Sequence, residues 1–179
     1  SDLLLYHDAS LLKNADDAQM DLKLLSFEFL FKGAPLQIKE EFDEFQVNHK
    51  NDQLKQFRVD LSNGFERDRI EKAVARTHNH FQKLENILSD GRHFLGGAIY
   101  SLSDVAWTPN FHRFNLVNWP FENTPYLRSW FNRVSKRESF ELALLSWENK
   151  DVMRDLDNYT RQRKVLGTDV RAFGTLANF

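Results

Sequence analysis

The chain has 179 residues, of which 41% are hydrophobic, so it can bury the core of one domain of ordinary size. Its net charge of −2 arises from mixed signs and leaves no basic surface for nucleic acid, and no apolar run approaches the ~20 residues that span a bilayer. The absence of cysteine excludes disulfides and a thiol nucleophile within the chain, and it is consistent with a cytoplasmic protein. The start of the chain carries no signal-peptide pattern. Because the first residue is Ser and not Met, we expect a fragment or a processed product.

The first predicted helix runs from Asn14, its cap, to Lys32. At ~100° per residue its apolar side chains fall into two opposed stripes, one of Met20, Leu24, Phe27 and Phe31 and the other of Leu22, Leu25 and Phe29. A surface helix needs only one apolar stripe, so the second must be covered by another helix, another subunit or a further domain. We expect Leu22, Leu25 and Phe29 to lie at an inter-domain or inter-subunit surface.

The middle of the chain predicts three helices after a break at Gly33 to Pro35. Two short ones are expected in 36–62, with a bend near 48–52. Asn63 and Glu66 have capping-box spacing and predict the start of a long helix. Its core stripe alternates four and three residues apart and consists of Ile70, Val74, Thr77, Phe81, Leu84 and Leu88.

A central helix is predicted to start at Ser101. Ser101 and Asp104 are spaced as a capping box, in which each side chain accepts the backbone N–H of the other. A Gly-Gly turn precedes the box and an apolar run follows it, in which Pro109 removes one backbone hydrogen bond and predicts a kink. Loss of one half of the box by Asp104→Ala is expected to cost ~1 kcal/mol.

Two further helices are predicted before a polar tail. Thr124 as cap and Pro125 at the first position begin one helix, whose stripe is Leu127, Trp130, Phe131 and Val134. A short helix behind Ser139 repeats that spacing with Phe140, Ala143, Leu144 and Trp147. The tail from Asn149 has apolar residues that predict docking onto another surface: Val170, Phe173, Leu176 and Phe179. No segment alternates with period two, so the fold class is predicted to be all-α.

Three motifs resemble the C-terminal helical domain of glutathione S-transferases: Phe-Leu-Gly-Gly-x-x-Tyr-Ser-Leu-Ser-Asp-Val at 94–105, Thr-Pro-Tyr-Leu-Arg-Ser-Trp-Phe-Asn-Arg at 124–133, and Arg-Glu-Ser-Phe at 137–140. The resemblance covers Ala9 to Trp147, and the segment around Asn63-Gly64-Phe65 resembles bacterial β-etherase and reductive-dehalogenase relatives. It implies a linker or the end of a thioredoxin-like domain at 1–12, the helical domain at 13–148, and an extension packed on the bundle at 149–179.

In that family the thioredoxin-like half binds glutathione and supplies the residue that activates its thiol. The helical half binds a hydrophobic aromatic electrophile and helps form a homodimer. The resemblance therefore implies the electrophile-binding domain of an enzyme that performs conjugation, ether cleavage or dehalogenation, with the catalytic half absent from this chain and the isolated chain inactive. By resemblance, the aromatic residues among the substrate-binding candidates are Phe27, Phe31, Trp107, Phe111 and Phe114, and ordinary core packing is the alternative for each. Asn110 and Arg113 are the polar candidates, because they lie one or two positions from this set.

No residue carries catalysis or holds a metal on the sequence evidence alone. His78 and His80 point ~160° apart on one helix and cannot share a metal ion. Ser101 lacks a histidine base, so the cap interpretation stands. The acidic residues of 40–44 are expected to form a solvated face. A non-catalytic interaction module remains an alternative to the enzyme, and a free-standing helical ligand binder is a third.

Overall fold

The computed structural model describes residues 8–32, 39–174 and 176, which form an all-α structure with one isolated β-bridge, between Phe94 and Gly97. The predicted fold class is confirmed. The helices are α1 Ala9–Asp17, α2 Gln19–Phe29, α3 Lys39–Asn48, α4 Asp52–Asn63, α5 Arg67–Leu88, α6 Leu102–Leu116, α7 Pro125–Val134, α8 Glu138–Ala143 and α9 Lys150–Val165. Short 3₁₀ turns lie at Phe121–Asn123, Leu145–Trp147 and Val170–Ala172.

The core is organised around Phe81 in the middle of α5. All six residues of the predicted α5 stripe are buried, as expected from their period. The Phe81 ring meets five aromatic rings of α6 and the segment after it, with centroids 5.1–6.5 Å away: Trp107, Phe111, Phe114, Trp119 and Phe121. Most of these contacts are edge-to-face, the arrangement that ring quadrupoles favour. Helices α5 and α6 therefore share one aromatic core.

The first predicted helix is two helices in the structure, and it begins earlier than expected. Asp8, not Asn14, is the N-cap, since its carboxylate accepts the backbone N–H of Ser10 at 2.8 Å. The chain turns at Ala18, and α2 begins at Gln19. Ala9 to Leu12, predicted as linker, lie in α1, where the buried Leu11 joins the core.

The second stripe of α2 does not face a partner, and that prediction is wrong. Leu25 and Phe29 are fully buried within the chain, and Leu22 packs partly buried against the same core. The covering residues come from the C-terminal segment: the Phe173 ring lies edge-on to Phe29 at 5.3 Å, and the Arg163 guanidinium lies over Phe29 at 4.8 Å. The chain itself supplies the cover that the stripe requires.

A buried polar junction locks the C-terminal segment in place. Arg163 donates to the Glu28 carbonyl oxygen, and its Nη2 lies 3.2 Å from the Glu28 carboxylate. It also donates to the Thr168 carbonyl oxygen at 2.6 and 2.9 Å. Glu28 and Arg163 are both buried, so each charge is compensated inside the bundle. The predicted docking residues Val170, Phe173 and Leu176 are buried in the core, whereas Phe179 lies outside the described residues.

Two local predictions need correction. Asn63 is the last residue of α4, and Glu66 is an N-cap of α5 that makes no side-chain capping bond. The helix predicted to reach Trp147 ends at Ala143, and the Trp147 side chain is 83% exposed. A 3₁₀ turn, Leu145–Trp147, follows α8, so the i, i+3, i+4, i+7 spacing in the sequence no longer corresponds to one face of an α-helix at Trp147. Helices α3 and α4, and the bend between them, lie where the sequence predicts them.

Candidate functional site

The start of α6 is a buried hydrogen-bond centre around Asp104, whose side chain has no exposed area. The capping box with Ser101 is present: the backbone N–H and hydroxyl of Ser101 donate to Asp104 Oδ2 at 2.8 and 2.7 Å. The other oxygen, Oδ1, accepts the Leu95 backbone N–H at 2.8 Å and the Trp130 indole N–H at 2.7 Å. One carboxylate thus ties the Gly-Gly turn, the α6 start and α7 together.

Four of the seven sequence-predicted substrate-binding residues are almost fully buried on α6: Trp107, Asn110, Phe111 and Phe114. The Trp107 indole N–H donates to the Leu11 carbonyl oxygen at 3.1 Å. The Asn110 amide donates to the Ala15 carbonyl oxygen at 3.2 Å and accepts from Gln19 at 2.7 Å. These two polar contacts hold α1 against α6, so both side chains carry a packing role.

The other three candidates are partly accessible, and they lie at the C-terminal ends of α2 and α6. The Phe27 and Phe31 rings are 5.8 Å apart, and Phe27 also meets Phe57 of α4 at 5.7 Å. The Arg113 guanidinium lies 5.9 Å from the Phe31 ring centroid, a cation–π distance. The structure thus groups Phe27, Phe31 and Arg113, and it separates them from the buried set.

Arg113 is the chemically distinctive member of this group, which we call the Phe31–Arg113 face (Phe27, Phe31 and Arg113). Burial lowers the pKa of Arg113 below its usual value, while the charge of Glu148 opposes that shift. Glu148 itself lies 2.7 Å from His112 Nε2, next to Arg113 in α6. Within the described part of the chain, no acceptor lies within hydrogen-bond distance of the guanidinium, so a ligand can use its donors.

A comparison with protein-family models gives one match. Residues 67–133 match the model described as the glutathione S-transferase C-terminal domain, from the first residue of α5 to the next-to-last residue of α7. This stretch contains the Asp104 centre and most of the aromatic core. Residues 67–133 are thus similar to a glutathione S-transferase C-terminal domain. Searches of curated proteins and of solved structures found no match.

The capping box of this glutathione S-transferase C-terminal-like domain was predictable because its two members are close in sequence. Glu85 was not predicted, although it does the capping at α7. Its carboxylate accepts the backbone N–H groups of Tyr126 and Leu127 at 3.1 and 2.7 Å. The predicted cap, Thr124, donates its hydroxyl to the Phe121 carbonyl oxygen. Glu85 lies on the α5 face next to the core stripe, and this position was the one sequence feature that could have indicated a buried carboxylate with a structural role.

The domain also has a cleft at the other end of α6, which the sequence did not reveal. The buried Trp107 lines it together with His80 and Lys83, three residues apart on one side of α5. Burial lowers the pKa of His80 and the charge of Lys83 lowers it further. His80 therefore contributes to a pocket wall and is more than the plain helix-flank residue that the sequence predicts.

In residues 8–32, 39–174 and 176, no group of three or more histidine, cysteine, aspartate or glutamate side chains is placed to hold a metal ion. Over the same described ranges, no helix is long and apolar enough to cross a membrane. The acidic residues Glu40, Glu41, Asp43 and Glu44 are exposed, as expected of a solvated face.

Proposed function

We propose that this chain is the electrophile-binding, dimer-forming half of a cytoplasmic glutathione transferase-like enzyme, which performs conjugation, ether cleavage or dehalogenation. The observation that carries the proposal is the family match across α5, α6 and α7. In this proposal a thioredoxin-like domain holds glutathione and activates its thiol. The chain contains no cysteine, so it supplies no thiol of its own, and in this proposal the nucleophilic sulfur is that of glutathione.

Within the proposal, the Phe31–Arg113 face receives the electrophile. The rings of Phe27 and Phe31 offer apolar contact to an aromatic substrate, and the Arg113 guanidinium stabilises negative charge that builds up as the thiolate attacks. Trp107, Asn110, Phe111 and Phe114 are proposed to act as the supporting wall, because little of their surface reaches solvent. Asp104 and Ser101 fix the start of that wall.

The test compares the isolated chain with the same chain joined to the thioredoxin-like segment encoded upstream of Ser1. Glutathione titration and a steady-state conjugation assay should show no binding and no turnover for the isolated chain, and glutathione-dependent turnover for the joined protein. Thiol activation needs the other half, which explains the expected difference. Turnover by the isolated chain would place the active site elsewhere, and a silent joined protein would remove the enzyme proposal.

Variants of the joined protein locate the electrophile. Arg113→Gln should lower turnover with a nitroaromatic electrophile more than it changes the KM for glutathione, because the lost charge acts on the developing anion. Phe31→Ala should raise the KM for the aromatic substrate. Arg128→Gln and Tyr126→Ala, two exposed positions on α7, are the matched controls and should behave like the unmodified protein. Equal effects at both pairs of positions would contradict the assignment of this face.

A non-catalytic interaction module is the second candidate, and one observation favours it. Trp147 is 83% exposed and Leu142 is 62% exposed, and the two are joined by a hydrogen bond from the Trp147 indole N–H to the Leu142 carbonyl oxygen at 3.2 Å. Exposed apolar residues that lie next to each other mark protein contacts more often than single exposed apolar residues do. The absence of a thioredoxin-like segment upstream of Ser1, together with loss of a protein partner on Trp147→Ala, would favour the module.

A further inference from the structure

The cleft at the N-terminal half of α6 has the size of a small-molecule site. It has a volume of about 310 Å³, at the lower end of the ~300–1,000 Å³ typical of ligand pockets. Three helices form its walls, and its nine lining residues are Ser10, Leu11, Asn14, His80, Lys83, Leu84, Asn86, Ile87 and Trp107. A volume this small admits one or two fused rings and excludes a folded partner.

The floor of the cleft is apolar and rigid. Leu11, Leu84 and Trp107 are almost fully buried, and they belong to the main core. The Trp107 indole N–H is already used by the Leu11 carbonyl oxygen, so the indole supports the base of the cleft from below and supplies no donor to a ligand. The His80 ring lies 5.8 Å from the Trp107 ring. Such a floor suits a flat apolar or aromatic body.

The rim is polar, and its cation is unpaired. Within the described part of the chain, Lys83 makes no ion pair, and the two carboxylates whose charges act on the neighbouring His80 are paired with other cations. Asp17 pairs with Lys13 at 2.6 Å, and Asp21 binds Arg76 through two bonds of 2.7 and 2.8 Å. The positive charge at the rim is therefore not cancelled by a neighbouring side chain.

Amides and an imidazole complete the rim. Asn14 and Asn86 place side-chain amides in the lining, and each carries two N–H donors. Because burial lowers the pKa of His80, its ring is neutral at pH 7 and can donate one hydrogen bond. A ligand with an anionic, acceptor-rich group would be attracted by Lys83 and could accept hydrogen bonds from the neutral donors of the rim. A cationic ligand would be repelled by Lys83.

We propose that this cleft binds a small aromatic carboxylate, with its ring against Ile87 and His80, above the buried Leu84 and Trp107, and its carboxylate at Lys83 and the rim amides. The site is separate from the Phe31–Arg113 face and needs no glutathione. It therefore goes beyond the proposed function and can exist whether or not that function is correct.

The test is isothermal titration calorimetry of the full chain with 2-naphthoate, and with 2-naphthamide as the uncharged probe of the same shape. Naphthoate should bind one molecule per chain, at least fivefold more tightly than the amide. Lys83→Met keeps the apolar stem and removes the charge, so it should weaken naphthoate binding at least fivefold and leave the amide unchanged. Lys136→Met, an exposed lysine beyond α7, is the matched control and should leave both affinities unchanged.

A variant that fills the cleft tests whether ligands bind in it, and the amide resonances of the chain show where the ligand binds. Ile87→Trp fills the partly exposed edge of the cleft and should abolish binding of both probes; Ser10→Trp on the opposite wall serves if that variant does not fold. In ¹H–¹⁵N spectra, naphthoate should shift the amides of α1 and the second half of α5. No saturable binding, equal effects of Lys83→Met and Lys136→Met, or shifts centred on Phe31 and Arg113 would each overturn the proposal.

Discussion

Replacing Asp104 by alanine should destabilise the domain far more than loss of a helix cap does. The sequence alone predicts ~1 kcal/mol, the cost of one missing cap. In the structure the carboxylate is fully buried and accepts four hydrogen bonds, from the Ser101 N–H and hydroxyl, the Leu95 N–H and the Trp130 indole. Each donor left without a partner costs roughly 1–3 kcal/mol.

The size of the effect follows from how many of those donors stay buried. The Ser101 hydroxyl can rotate to another acceptor, which leaves two backbone N–H groups and the Trp130 indole unsatisfied. Partial relaxation and water entry reduce the sum, so we expect Asp104→Ala to lower the free energy of unfolding by about 3–5 kcal/mol. Trp130→Phe removes a single donor and leaves the carboxylate three others, so it should cost about 1–2 kcal/mol.

The assay is urea unfolding followed by far-UV circular dichroism, with the m-value checked for each variant. Asp155→Ala is the matched control, because this carboxylate lies in α9 with 72% of its side chain exposed, and it should change stability by less than about 0.5 kcal/mol. A loss of 1 kcal/mol or less for Asp104→Ala, with an unchanged m-value, would refute the four-bond reasoning and restore the simple cap.

Three other perturbations have defined outcomes. Arg163→Met removes the hydrogen bonds to the Glu28 and Thr168 carbonyl oxygens and leaves the Glu28 carboxylate with Lys32 alone, so it should cost about 3 kcal/mol in urea unfolding. Arg161→Met in an exposed pair should cost under about 0.5 kcal/mol, and equal losses would contradict the buried junction. Glu85→Gln should speed amide hydrogen exchange in the first turn of α7, and unchanged exchange would remove its capping role. The pKa of His80 is lowered in the folded state, so the unfolded chain binds the proton more readily, and stability should fall as the pH drops from 6.5 through the folded pKa. His80→Gln should make that fall shallower, and an unchanged slope would contradict it.

Features set by neighbours in sequence were predictable. The α5 stripe follows the helical period, and Ser101 and Asp104 are three residues apart, so each could be recognised within one or two turns. The turn at Ala18 was not predicted because no glycine or proline marks it. Asn14 was predicted as the N-cap because asparagine is favoured at that position, although it lies inside α1.

Features that join distant segments were not predictable. The residues that bury Phe29 lie more than 130 positions later in the sequence. The second apolar stripe of α2 therefore predicted an inter-domain or inter-subunit contact, whereas residues of the same chain bury it. The positions of the candidate substrate-binding residues in the fold were not predictable for a related reason. A large aromatic side chain serves equally in a core or a pocket, and only the packing around Phe81 shows that Phe111 and Phe114 belong to the core.

Helix α6 separates the two proposed ligand sites, and their independence can be tested. Arg113 lies six residues beyond Trp107, which places it ~9 Å along the helix and ~120° around it. The helix between them is anchored by Asp104 at its start and by Asn110 in its middle, so it transmits little movement. Lys83 of α5 and Arg113 of α6 have no side-chain partner in common among the described residues, and substitutions at such independent sites are additive to within ~0.5 kcal/mol. In the joined protein, Lys83→Met should therefore leave the effect of Arg113→Gln on turnover unchanged, since each variant alters a different face of a rigid wall. A double variant that departs from additivity by more than about threefold would show that the cleft and the Phe31–Arg113 face form one site.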